Sequence, residues 1–162
     1  MLSTSQRATL HGMPPLNLPT FRYKLLYRGH VHHIFDVVRK KYVQLTPEEW
    51  TRQHFLHYLI QELGYPKSLI RLERKMAGHD LRHRPDIVVY NRMGEPHMLV
   101  ECKAPHRVID TKMVYQLVRY NAQLRAQLLV FTNGMVHYCW EVAYAPFCQR
   151  VLEGVPAFDG VE

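Results

Sequence analysis

Periodicity and turn chemistry point to a mixed α/β sheet flanked by helices, entered through an N-terminal β-hairpin. Three observations carry this reading. Residues 47–63 and 110–127 repeat their apolar side chains at helical spacing. Residues 68–76, 86–90, 98–103, 128–132 and 135–142 alternate or run apolar in the manner of strands. The order is then hairpin, helix, three strands, helix, two strands, and strands interleaved with helices build a helix-covered sheet.

The first twenty residues mix Ser, Thr, Pro and Gly and are expected to form an arm. The folded domain is expected over 21–145, with a tail over 146–162. Phe21–Tyr27 and Val31–Phe35 read as the two strands of the hairpin, turning at Arg28-Gly29. Asp36–Lys41 (DVVRKK) reads as a short basic connector. Thr46-Pro47-Glu48-Glu49 is a helix start. Thr46 suits the N-cap, Pro47 the first helical position and Glu49 the third, which makes a capping box. Trp50, Phe55, Leu59, Ile60 and Leu63 form the apolar face, and Gly64 ends the helix. Asp110 or Thr111 would cap the second helix, whose stripe is Met113, Leu117, Tyr120 and Leu124. Asn133-Gly134 marks a hairpin turn between the last two strands.

At 162 residues and 47% apolar content the chain suits one domain with a core of its own. No apolar run approaches the ~18–20 residues of a membrane span, and no secretory leader is legible. Lys and Arg outnumber Asp and Glu by 21 to 14, which favours a polyanionic partner. Cys102, Cys139 and Cys148 are three and widely spaced, so reduced thiols in the cytoplasm are expected rather than a disulfide framework. The eleven histidines include no zinc-site spacing.

The chemistry concentrates in Arg84–Pro105, RPDIVVYNRMGEPHMLVECKAP. Glu101 and Lys103 are two apart in a strand and share a face. Asn91–Pro96 reads as a turn. A hairpin centred near Met93 would oppose Tyr90 to His97, Val88 to Leu99 and Asp86 to Glu101. Opposed strand residues have Cβ atoms roughly 4.5–5.5 Å apart. Two carboxylates and an ammonium on one face make a site for a divalent cation beside a positive charge, suited to phosphodiester hydrolysis.

These residues carry a family likeness. The PD…ExK pattern, followed by a helix bearing a QxxxY element (Gln116 to Tyr120), resembles the PD-(D/E)xK nuclease superfamily in its RecB-like branch. The phrases TPEEWTRQHF, YLIQELGYP, RPDIVVYN, LVECKAP and VFTNG are similar to the N-terminal nuclease domain of type I restriction enzyme R subunits. The likeness covers roughly Asp36 to Tyr138. It implies a restriction-endonuclease-like fold and a magnesium-dependent DNA endonuclease, with manganese as a substitute. Asp86 and Glu101 would be metal ligands, joined by the Cys102 carbonyl. Lys103 would steady the attack on the phosphate, and Glu49 is a fourth candidate, with Glu62 and Glu73 as competitors. Gln116 and Tyr120 would position substrate, and Arg82 and Arg84, with His79 and His83, would meet phosphates. DNA, motor or specificity subunits and a second copy of the chain are the implied partners. No GxxxxGK[ST] loop is present, so these residues are not expected to form an ATP-driven translocase themselves, and partnership with one or action alone are both open. A DNA-binding or assembly module without cleavage is the alternative.

Overall fold

The computed structural model describes residues 12–72 and 84–160. Among the described residues nine strands form two sheets. The smaller contains β1 (Leu25–Arg28), β2 (Val31–Asp36) and β3 (Lys41–Gln44), all antiparallel. The larger runs in the order β4 (Ile70–Leu72), β5 (Ile87–Tyr90), β6 (Pro96–Cys102), β7 (Leu128–Thr132), β8 (His137–Tyr144) and β9 (Phe147–Leu152). Among the described strands only β6 and β7 pair in parallel. They are joined by α2 (Thr111–Leu124), the crossover that parallel strands require.

The expected hairpin is present, and Gly29 and His30 both take positive φ at its two-residue turn. The DVVRKK connector is a correction. Asp36 closes β2 and its Oδ1 accepts the amides of Val38 (2.9 Å) and Arg39 (2.7 Å), so the chain turns back into a third strand. Lys40, at φ 54°, completes that turn.

Helix α1 (Pro47–His57) starts where its cap places it, with the Glu49 amide donating to Thr46 Oγ at 3.1 Å. A wider π-helical turn, Tyr58–Glu62, continues it to Gly64, whose φ of 76° only glycine adopts freely. Phe55, Leu56 and Leu59 pack against Ile87, Val89, Met98 and Val100 on one face of the large sheet. Met113 and Leu117 of α2 pack against Val88, Leu99, Leu129 and Phe131 on the other. Alternate residues of β5 and β6 thus serve opposite cores, as the apolar character of both faces implied. Asp110 caps α2, accepting from the Met113 amide at 2.9 Å.

Two further boundaries differ from expectation. Strand β8 begins at His137 rather than Met135, because Asn133 Oδ1 accepts the amides of both Met135 and Val136 at 2.9 Å and lengthens the turn. The segment after Pro146 is no tail. Strand β9 pairs with β8 along its length, and Tyr65 Oη donates to the Pro156 carbonyl at 2.9 Å. Most β9 side chains face solvent, so no buried alternation marks it in the sequence. At the other end, the part of the arm from 12 onward is docked. Trp50 Nε1 donates to the Pro14 carbonyl at 3.0 Å, and the Asn17 amide to that of Gly134 at 2.8 Å. Gly134 takes a φ of 83°, which favours glycine, and a Cβ there would also meet the Leu16 methyl at 2.9 Å. Of the expected strand at 68–76, Ile70–Leu72 is formed and 73–76 lies outside the described residues.

Candidate active site at the end of β6

The β5–β6 register is the expected one at Val88↔Leu99 and shifts at a bulge, so Tyr90 opposes Pro96 rather than His97. The expected direct opposition of Asp86 to Glu101 is not formed: the paired register ends at Ile87↔Val100, and Asp86, the next residue, donates its amide to the Val100 carbonyl at 2.9 Å, one position out of that register. Its side chain turns onto β6, where Oδ2 accepts the Cys102 amide at 2.7 Å. Glu101 and Lys103 share a face, with Lys103 Nζ 2.8 Å from Glu101 Oε1. The Lys103 amide is anchored to the Thr132 carbonyl at 2.8 Å. The two acids and the ammonium therefore gather at the end of one strand pair.

Helix α1 supplies what sequence reasoning missed. Arg52 lies among the carboxylates: Nη1 bonds Glu49 Oε2, and Nη2 bonds Asp86 Oδ1 and, at 3.1 Å, Glu48 Oε1. Glu49 is buried, but its carboxylate does not turn back on Thr46 in a reciprocal box. It reaches Arg52 and accepts from Gln53 Nε2 at 2.9 Å, with Arg39 Nη1 3.6 Å away. Gln53 Nε2 also donates to Asp36 Oδ2 at 2.8 Å. A polar chain thus runs Asp36–Gln53–Glu49–Arg52–Asp86, from the small sheet to β6. The helical spacings Glu48/Arg52, Glu49/Arg52 and Glu49/Gln53 were a legible signal for most of it. Nothing local marked Asp36.

The other expected site residues fall elsewhere. Gln116 is half-buried on α2 and makes no hydrogen bond to Lys103 or the acids. Tyr120 packs against the core under α2. Arg84 is half-buried just before Pro85. Glu62 is exposed on the π-helical turn. Arg82, His79, His83 and Glu73 lie outside the described residues.

Burial, and next the neighbouring Asp86, push Glu101 up to about 7 against the opposing pull of Lys103. Burial works against charge on Lys103 and on Arg52. Glu101 outweighs it for the first, and Asp86 with Glu49 for the second, so both cations are held protonated. Burial pushes the Cys102 thiol up, which keeps it neutral. For Glu101 the folded form holds a proton that the unfolded chain releases near its ordinary value of 4.5. That stability is fully present below about 4.5 and is lost as pH rises through about 7. In EDTA, Glu101→Gln is expected to remove this loss. The variant should exceed wild type at pH 8 by about 2–3 kcal/mol at most, and the gap should close at pH 4–5. Urea unfolding at both pH values checks it. Taking the difference between the two proteins cancels His54, which burial lowers to about 4 in both.

Among the described residues no group of three or more His, Cys, Asp or Glu side chains is arranged to hold a metal ion. Magnesium, however, is usually held by one or two carboxylates together with waters and substrate phosphate. Asp86 and Glu101 offer hard oxygen donors of that kind. The linked set also carries excess negative charge: Asp36, Glu48, Glu49, Asp86 and Glu101 against Arg39, Arg52 and Lys103. Asp86 adds to burial in raising Glu101. The donor set fits a divalent cation.

The fold is a mixed α/β sheet that gathers two acids and a lysine near the end of a central strand. The model of the type I restriction enzyme R protein N terminus matches residues 47–156, and the chain belongs to that family. No curated protein matches the chain. The matched region runs from the first residue of α1 to beyond β9, so it includes the helix that carries Arg52 and every strand of the large sheet. Membership ties the chain to restriction systems. Among the described residues no helix is long and apolar enough to cross a membrane.

Proposed function

We propose that the chain is a divalent-metal-dependent endonuclease domain of a restriction system, hydrolysing phosphodiester bonds of DNA. The observation that carries this reading is the convergence of Asp86, Glu101 and Lys103 at the end of β6. Asp86 and Glu101 would hold magnesium or manganese, with the Cys102 carbonyl beside them. When bound, such an ion supplies Lewis acidity and a more acidic water.

The chain's own residues do the rest. The Cys102 amide fixes Asp86. Lys103, kept charged by Glu101, donates to a phosphate oxygen and stabilises the charge that grows there. Glu49 acts through Arg52, which it holds against Asp86. Gln116, Tyr120, Arg84 and Arg82 are the proposed contacts to DNA along its backbone, where the net charge of +7 favours association. Motor and specificity subunits, and a second copy of the chain for double-strand breaks, are the proposed partners.

The test is relaxation of supercoiled plasmid with magnesium or manganese, with EDTA, and with Asp86→Asn. Nicking that needs the metal and disappears in the variant is the expected result. One observation favours a second reading, a DNA-binding or assembly module without cleavage: Arg52 already neutralises Asp86. Salt-sensitive DNA binding by folded protein that nicks with neither metal would select it.

A further inference from the structure

We infer that Arg52 is the counter-ion that a divalent cation displaces: it holds Asp86 while the site is metal-free and hands it over on binding. The inference rests on the metal reading above.

Asp86 has two oxygens and both are engaged. Oδ2 takes the Cys102 amide at 2.7 Å, a backbone contact fixed by β6. Oδ1 takes the Arg52 guanidinium. A cation on Oδ1 would stand at contact distance from a full positive charge, in a site where Arg52 is 9% exposed and screening is weak. The two do not share that oxygen.

The surroundings allow a hand-over. Arg52 has partners that stay behind when Asp86 is given up. Glu49 holds Nη1, and Glu48 holds Nη2 at 3.1 Å. Glu49 is itself braced by Gln53 Nε2 at 2.9 Å, and Gln53 by Asp36, so the pivot is rigid. The guanidinium is also incompletely satisfied, because its Nε–H is buried with no acceptor. A purely structural clamp is expected to use all its donors. An arginine with an orphaned donor and two retained partners loses less on moving than one held on every side. The carboxylate excess points the same way, since the set is undercharged with Arg52 in place and a divalent ion corrects it.

Two consequences follow. Arg52 keeps the acids from repelling one another when no metal is bound. It also lowers metal affinity below what the donors alone would give.

The experiment is calorimetric titration of manganese into wild type, Arg52→Gln and Asp86→Asn. Arg52→Gln is expected to bind roughly ten-fold more tightly, the low end of what removal of a contacting unit charge supplies at a partly screened site. Asp86→Asn is expected to lose binding. If Asp86→Asn loses binding while Arg52→Gln binds no more tightly than wild type, the hand-over is wrong and the metal reading stands. If Asp86→Asn binds as wild type does, the metal reading itself fails and takes the inference with it. To keep the test decisive should Arg52→Gln fail to fold without metal, a second measurement uses wild type alone. The Arg52 guanidinium resonances are followed by nitrogen-15 NMR during magnesium titration. Release from Asp86 should shift them and speed rotation about Cζ–Nη2, saturating with the calorimetric isotherm. Resonances unmoved at saturation overturn the proposal.

Discussion

Lys103→Ala is expected to lower metal-dependent DNA cleavage by roughly 10²–10³-fold, the usual loss when one charged or hydrogen-bonding group aimed at transition-state charge is removed. Metal binding should survive, weakened near pH 7 because Glu101 loses the Lys103 pull that opposes its protonation. The pairing of those two results is what separates the proposed role from a structural one. A mere counter-ion to Glu101 would, when removed, weaken metal binding in the same way but leave cleavage at saturating metal near that of wild type. Single-turnover cleavage at saturating metal, alongside a manganese isotherm, distinguishes the two. The backbone amide of Lys103 stays bonded to Thr132 in the variant, so β6 and β7 keep their register.

Asp36→Ala carries the largest expected cost in stability, about 3 kcal/mol. Asp36 is fully buried and its carboxylate accepts three hydrogen bonds, from the amides of Val38 and Arg39 and from Gln53 Nε2. Truncation leaves these donors without their acceptor, each worth about 1 kcal/mol or more when buried. Arg39, 3.7 Å from Asp36, loses a charge partner as well. Urea unfolding should show a lower midpoint with little change in slope. Asp36→Asn keeps an acceptor oxygen for the turn and should recover part of the loss. Because Gln53 then fixes Glu49 less well, both variants should also weaken the hold of Arg52 on Asp86, though no catalytic group is touched. Full wild-type stability in Asp36→Ala would show that the two sheets are not coupled through this chain of polar groups.

The large sheet was legible because its strands state their own periods. The β5–β6 register at Val88↔Leu99 follows from alternation and turn position alone, whereas the register slips at Asp86, whose amide meets the Val100 carbonyl. The capped starts of α1 and α2 were legible for a similar reason, since Thr46 and Asp110 act on amides three residues away. What sequence did not reveal depends on distance along the chain. Arg52 meets Asp86 across 34 positions and Gln53 meets Asp36 across 17, and no local pattern announces either. Strand β9 was missed because an edge strand with exposed side chains has no alternation to read. Strand β3 was missed because four residues with three of them exposed look like a connector. Glu49 shows a subtler failure. Its position fits a capping box, yet its carboxylate turns to Arg52, because a charged partner within reach outcompetes a neutral backbone amide.

The most direct test of the account is an anomalous-scattering map from crystals of this chain grown with manganese. The account predicts one strong peak touching the carboxylates of Asp86 and Glu101, with Arg52 withdrawn from Asp86 and still held by Glu49. No peak at those carboxylates at full manganese occupancy elsewhere, or a peak there with Arg52 still seated on Asp86, would contradict it.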